Sequence, residues 1–302
     1  MATTIQPEVW IAEIEKNLYK NRDWLKLGKI DDEYIGKKRV TLPQAGNRPN
    51  VEMNRATLPA TITSRNDTVI DYAVQEFTAD PTLIEDVDEV ETSYNKRQDI
   101  IEDHLDTLPD RLADYAAYVY ATGADQIQCT GAGRIDEGGV LTGQRHSVAA
   151  ADISKAMTKM SLQKVPRGGG RFFIMDPMAW SDLLNDDKLS SREYTEKVNL
   201  EKGTLGTLYG FDVYESASVA FHNPASGGSI IAPGSIIPGT AERVCLLLHE
   251  KFIRRAMGQI KLYSDIDKPE YYGSVLSTRI RFGCSRARTN GDGVISLLQG
   301  TV

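Results

Sequence analysis

Reactive side chains are scarce in this sequence. Its 302 residues include only three cysteines and four histidines. Cys129, Cys245 and Cys284 are odd in number, far apart and never in a Cys-x-x-Cys pair, the pattern of unpaired thiols in a reduced, cytosolic protein. His104, His146, His222 and His249 never pair at i, i+4, and there is no His-Glu-x-x-His, which excludes the helical zinc-protease motif. No apolar run approaches the roughly 20 residues of a membrane span, and Val244–Leu248 is only a buried-strand candidate. The opening "MATTIQPEVW" lacks a basic region and a long apolar core, so it does not read as a secretory signal. An excess of cations is absent too. With 35 Lys and Arg against 42 Asp and Glu the net charge is −7, the wrong sign for a protein that coats nucleic acid.

Glycine is not scarce, and its clusters have to be tested as phosphate cradles. "GAGRID" places Asp136 where a dinucleotide fingerprint needs its third glycine, and an acid there repels a pyrophosphate. "GGVLTGQR" has the glycine spacing of a P-loop, but Gln144 and Arg145 replace the Lys and the Ser or Thr. His146 beside Ser147 is not a dyad by adjacency. No Gly-x-Ser-x-Gly exists, and Ser147 is better used as the N-cap of the helix "SVAAADISKAMTKM". Asp265, Asp267 and Glu270 could hold calcium, but an EF-hand needs spaced ligands and a glycine, so a solvated turn is the simpler reading.

What is present is structural. "PEVWIAEIEKNLYKN" puts Ile11, Ile14 and Leu18 at helical spacing with Trp10 beside them, and an extended stretch with Trp24 and Leu25 follows. Trp10, Trp24 and Trp180 read as packing anchors, the first two across an interface. "KKRVTLP" and "DTVIDYAVQEF" read as strands around a long loop, the second with Ile70, Tyr72 and Val74 alternating inward. The loop is poor in core formers and basic: Lys37, Lys38, Arg39, Arg48, Arg55 and Arg65 face only Glu52. Such length inside a domain marks a functional or projecting excursion. Apolar residues from Leu83 to Val119 then recur at steps of three and four. They predict a helix of nearly forty residues, on the order of 55 Å long, kinked or divided at Pro109. Its other face carries Glu85, Asp86, Glu89, Asp99, Glu102, Asp103 and Asp106, either a solvated surface or a partner for the basic loop of another copy.

The remainder reads as mixed helix and strand. "RFFIM", "GFDVYES", "RVCLLL", "SVLSTRIRFGCSRA" and "VISLLQ" are strands, and "TNGDG" is a turn before the last of them. Asp176 caps a helix that has Pro177 at its first position. In "GTLGTLYGFDVYES", Gly206 and Gly210 permit a tight turn closed to residues with a Cβ.

The order of these parts resembles the major capsid (coat) proteins of tailed double-stranded-DNA bacteriophages over nearly the whole chain. The resemblance rests on the arm-like segment running into "RDWLKLGKIDDEYIGKKRVTLP", on the returning strand followed by the acidic helix, and on "VPRGGGRFFIMDPMAWSDLLND" with Gly-x-x-Gly-x-x-x-Gly-Phe-x-Val after it. It implies an α+β chain of the tailed-phage major capsid fold. The expected parts are an N-terminal arm (1–35), an extended β-hairpin loop (36–78), a peripheral domain with a long spine helix (79–122 and 258–302) and an axial domain (123–257). It further implies a non-enzymatic subunit without cofactor or metal that self-assembles as hexamers and pentamers into an icosahedral shell around double-stranded DNA. The loop and arm would reach over adjacent subunits, with Trp10, Trp24, the six loop cations and the acidic residues named above at the contacts. Scaffolding, portal and decoration proteins are the further partners implied. Packaged DNA would be held only non-specifically, no membrane is involved, and assembly would take place in the bacterial host cytoplasm. Because the sequence starts almost at the arm, any scaffold would be a separate protein.

Three other readings stay open on the sequence. An encapsulin-type nanocompartment subunit shares the fold but encloses enzyme cargo. A hydrolase or nucleotide enzyme would need a site assembled from distant residues, since no motif is intact. A tail or decoration component would bind a preformed shell without closing one.

Overall fold

Long runs of buried apolar residues organise the chain around two large sheets, beside two that have two strands each. The computed structural model describes residues 23–36, 38–46, 49–56, 58–60, 62–85, 96–136, 143–184, 204–226, 228–288 and 290–300. Among these, the first strands are β1 (Lys29–Ile30), β2 (Arg39–Gln44), β3 (Thr68–Ala73), β4 (Gln75–Thr78) and β5 (Thr82–Glu85). Helix α1 (Lys96–Ala121) follows, then β6 (Asp125–Gln128), β7 (Gly133–Ile135), β8 (Gln144–His146) and α2 (Ala150–Leu162). After them come β9 (Arg171–Met175), α3 (Pro177–Leu184), β10 (Thr204–Leu208), β11 (Phe211–Glu215), β12 (Ala220–Asn223) and β13 (Ser229–Ile231). The chain closes with β14 (Glu242–His249), β15 (Ile253–Met257), β16 (Lys261–Lys268), β17 (Gly273–Arg286) and β18 (Val294–Gln299).

One sheet has six strands and is built on β17. Strand β16 covers one edge of it, and β15, β4 and β5 also pair with it, while β1 extends β15. The other sheet has eight strands centred on β14. Strands β9 and β12 share one edge of β14, β18 covers the other, and β6 lies beyond β18. Every residue of β9, β14 and β18 is buried, as expected of strands covered on both faces. Alternation then sorts their side chains. Phe172, Ile174, Leu246, Leu248 and Leu298 join Leu112, Ala116 and Tyr120 of α1. Phe173, Met175, Cys245, Leu247 and Leu297 face Ile153, Ala156 and Met160 of α2 and Ala179 and Leu183 of α3. Helix α1 also packs on Ile280, Phe282 and Cys284 of β17, so its apolar stripe serves both sheets. Sheet membership therefore does not follow the expected division at 257/258, because β15 pairs with β17 while β18 lies beside β14.

Helix α1 corrects the expected spine in two ways. Its described part has 26 residues, about 39 Å at 1.5 Å per residue, residues 86–95 lie outside the described residues, and Leu83 and Glu85 lie in β5 instead, paired to Val275 and Gly273. Hydrogen bonding along β17 overrides the helical spacing there, because a strand edge satisfies the backbone that a helix would satisfy internally. Nor does Pro109 divide the helix. Proline forfeits one intrahelical hydrogen bond, but Leu108, Leu112 and Ala113 are buried on both sides of it and hold the two halves on the sheets.

Helix α3 starts as expected, with Pro177 first and Asp176 Oδ1 accepting from the Ala179 N–H at 3.1 Å. Helix α2 does not. It begins at Ala150, and Asp152 performs the capping that Ser147 was expected to perform, accepting from the Ala149 N–H at 3.3 Å and from Thr130 at 3.0 and 2.7 Å. Ser147 is buried and extends the β7–β8 pairing through its N–H to Ala132.

The β10–β11 hairpin resolves the two glycines of the expected turn. Tyr209 (φ 51°) and Gly210 (φ 82°) make a two-residue turn with both centres left-handed, the geometry that matches strand twist. Gly206 is not in it. It lies within β10, where the register shifts between Thr204 and Thr207. Gly210→Val should lower stability by about 1–2 kcal/mol through the left-handed backbone alone, since a Cβ there meets no atom within 4 Å. Gly210→Asn should cost less than half as much in the same urea titration.

Candidate assembly surfaces

Three charged or polar side chains set where the β2–β3 hairpin leaves the body. Tyr72 points inward from β3 and donates to Asp31 Oδ2 at 3.0 Å. Arg254 Nη1 of β15 donates to Asp31 Oδ1 and Oδ2 at 2.8 and 3.1 Å. Asp31 is held in turn by its own N–H to the Arg255 carbonyl at 2.8 Å, and Asp32 Oδ1 accepts from the Met257 N–H at 2.8 Å. Burial, followed by the Asp31 charge, pushes the Tyr72 phenol well above its ordinary value, so it remains a donor. Val40, Tyr72, Val74 and Ala256 close a small apolar cluster around the joint. Beneath it, a Cβ on Gly283 would stand 3.1 Å from the Ala73 carbonyl, so the absence of a side chain lets the hairpin base sit against β17.

Beyond the joint the hairpin projects. Pairing runs from Arg39↔Ala73 to Gln44↔Thr68, after which the loop carries Val51, Met53, Leu58 and Ile62 at 90, 88, 83 and 97% exposure. Four large apolar side chains on one projecting loop are an interaction surface in waiting. The sequence reading missed them because it looked for core periodicity. The signal available was apolar residues spaced through a Pro-containing loop with no strand to bury them. Ile236, between β13 and β14, is 95% exposed, and Tyr272, at the β16–β17 tip, is 80% exposed.

The expected contact residues are distributed unevenly. Trp24 does not face an interface: it is 3% exposed and packs in the cluster beneath α1, because the segment leading to β1 lies on its own subunit. Arg39 pairs with Asp71 at 2.9 Å, Arg55 with Glu52 at 3.0 Å and Arg65 with Asp67 at 2.7 Å, so the loop cations have local acids beyond Glu52. The Gly46 N–H and Arg65 hold the Asp67 carboxyl below its usual range. Lys38, Glu85 and Asp103 are exposed, Glu85 at the end of β5 and Asp103 on α1. Asp99, Glu102 and Asp106 fall on α1, but their side chains lie outside the described residues, as do Trp10, Lys37, Arg48, Asp86 and Glu89 entirely.

The three cysteines are all buried. Burial pushes the thiols of Cys129, Cys245 and Cys284 up, which keeps them protonated and poorly nucleophilic at neutral pH. His146 Nδ1 lies 3.0 Å from the Gly131 carbonyl, a contact with the backbone. No group of three or more His, Cys, Asp or Glu gathers among the described residues as a metal site would require. No helix among them is long and apolar enough to cross a membrane.

The joint makes a measurable prediction. Tyr72→Phe removes one hydrogen bond to a charged group and should cost about 1.5–3 kcal/mol. Amide exchange should quicken in β2 and β3 while β14 and β18 keep their protection. Equal acceleration in both sheets would show that the joint does not set the hairpin locally.

No family model matches the sequence, and no curated protein matches it either. Solved structures do match its fold. The capsid of the cyanophage P-SCSP1u superposes with a TM-score of 0.64 at 15% identity, covering 91% of this chain and 87% of that one. The mature capsid of bacteriophage PhiM1 gives 0.62 at 12% identity over 90% and 85%, and Mycobacterium phage Che8 gives 0.61 at 16% over 89% and 88%. With two large sheets bridged by α1 and a hairpin projecting from the six-stranded one, the chain has the tailed-phage major capsid fold.

Proposed function

We propose that this chain is the structural subunit of an icosahedral phage capsid, assembling with copies of itself around double-stranded DNA. The observation that carries the reading is the projecting hairpin, rigidly seated at Asp31, Tyr72 and Arg254 yet bare of cover over Val51, Met53, Leu58 and Ile62. The neighbours in fold are capsids, which supports a shell as the place where such a loop is covered. The subunit acts as a building block and carries out no reaction. Hexamers and pentamers are the intermediate assemblies, and scaffolding, portal and decoration proteins are the further partners. Its place is the virion capsid, after assembly in the bacterial cytoplasm. The net charge of −7 suits a shell that holds packaged DNA only non-specifically.

In this reading the loop lies over an adjacent subunit, and apolar burial supplies most of the affinity. Each covered Val, Leu, Ile or Met contributes about 1.5–3 kcal/mol. The ion pairs of Arg39, Arg55 and Arg65 are exposed and worth about 0–1 kcal/mol each, so they can exchange partners at little cost. Arg48, Arg55 and Arg65 meeting the acidic Glu85, Asp86, Glu89, Asp99, Glu102, Asp103 and Asp106 of a neighbour would steer register and rate more than affinity.

The deciding experiment is sedimentation of the purified protein with negative-stain electron microscopy of the fast fraction. Closed shells, tubes or capsomer rings are expected, and shells isolated from the native host should protect DNA from nuclease. Protein cargo without DNA would instead assign an encapsulin-type compartment. Val51→Asp with Ile62→Asp should abolish fast-sedimenting species while leaving the thermal midpoint of the subunit unchanged. Normal assembly by that variant would remove the loop from the contact.

A further inference from the structure

A groove of about 880 Å³ lies between the hairpin and the body. Lys29, Arg65, Lys164, Lys251, Arg254 and Arg288 line it, and among the described lining residues there is no Asp or Glu. Three of these cations lean on acids outside the groove: Arg65 on Asp67, Arg254 on Asp31, and Arg288 on Asp292 at 3.5 Å. Lys29, Lys164 and Lys251 are exposed and make no ion pair among the described residues. The β1–β15 register sets Lys29 beside Arg254, a like-charge neighbour that a counter-charge would relieve.

Lys164 is the most telling of the six. It follows α2 with φ 60°, its N–H donating to the Ser161 carbonyl while the Val165 N–H donates to that of Met160. This helix ending ordinarily takes glycine at the left-handed position. A lysine there is strained, and its charge faces the groove.

The fold also says where a matching anion is. Residues 85–91 read Glu-Asp-Val-Asp-Glu-Val-Glu, five carboxylates in seven positions. Glu85 pairs with Gly273 at one end of β17, whereas the groove adjoins the other end, at Ala287 and Arg288. Fourteen residues of strand separate the two ends by about 43 Å, too far for the run to reach its own groove. The stretch 1–22 balances three acids with three bases and offers no such match.

We propose that residues 85–91 of a second copy of this chain seat in the basic groove between hairpin and body. Acid at one end of the subunit and base at the other make the contact head-to-tail, the kind that closes into rings when the rotation allows. The assignment rests on the shell-subunit reading and names the partner segment within it. Free phosphate or nucleic acid would exploit the same cations, but the hairpin residues Pro43, Gln44 and Thr68 wall the groove on one side and give a peptide segment backbone and apolar contacts beside the charges.

The test uses the full chain. Lys164→Gly with Lys251→Gln should cut the assembled fraction at least about tenfold at roughly 0.15 M salt, with no loss of thermal stability because glycine relaxes the helix ending. Lys164→Glu with Lys251→Glu, and separately Asp88→Lys with Glu89→Lys, should each be defective, and all four in one chain should restore assembly. Assembly at the wild-type level by the single-sided variants overturns the proposal, as does a four-fold variant that is not rescued. In parallel, a peptide of residues 85–91 is titrated onto unassembled full chain. Wild type should bind it at least about tenfold more tightly than Lys164→Gly with Lys251→Gln. A wild-type chain that binds the peptide but never forms shells refutes the shell reading and leaves the groove assignment standing. Duplex DNA competing for the groove while the peptide fails to bind overturns the groove assignment alone.

Discussion

The structure depends on one buried stripe. Leu108, Leu112, Ala113, Ala116, Ala117 and Tyr120 of α1 share one cluster with Leu246 and Leu248 of β14 and Ile280 and Phe282 of β17. Burying side chains of this size contributes about 1.5–3 kcal/mol for each large one, well above any surface ion pair in the chain. The edge-to-face contacts of Tyr115 with Phe77 and Phe282, at 5.5 and 6.4 Å, extend the same packing to β4. Because α1 is pinned on two sheets, the relation between them is set by close packing and does not drift as a flexible domain pair would.

That rigidity gives the hairpin a direction. Strands β3 and β4 follow one another with only Val74 between them, β4 paired to β17 and β3 continuing outward into the projecting loop. The polar joint of Asp31, Tyr72 and Arg254 then holds the exit angle with hydrogen bonds that are largely shielded from water. Glu85 therefore lies at one end of β17, and the loop, with its exposed apolar residues and cations, leaves past the other. An uneven distribution of charge of this kind favours contacts between unlike ends.

Local pattern told much of this. The continuous apolar runs of β9, β14 and β18, the inward alternation of Ile70, Tyr72 and Val74, and the Asp176–Pro177 helix start were readable, because burial and capping leave their signature in neighbouring residues. Where two local solutions competed, pattern misled. The period through Leu83 suited a helix, yet β17 offered a strand edge. Ser147 was a sound cap by composition, yet Asp152 could reach both Ala149 and Thr130. Pro109 should break a helix in isolation, but not one held on two sheets.

Composition and short-range periodicity were enough for the order of loop, helix and strands and for the separation of charge between a basic loop and an acidic run. Tertiary structure decided what Trp24 packs against, which acids answer Arg39 and Arg65, how Lys29, Lys164 and Lys251 come to share one groove, and that the loop leaves Ile62 uncovered. Each of those depends on residues tens to hundreds of positions apart, and only strand pairing and packing, not any local preference, bring them to the same place.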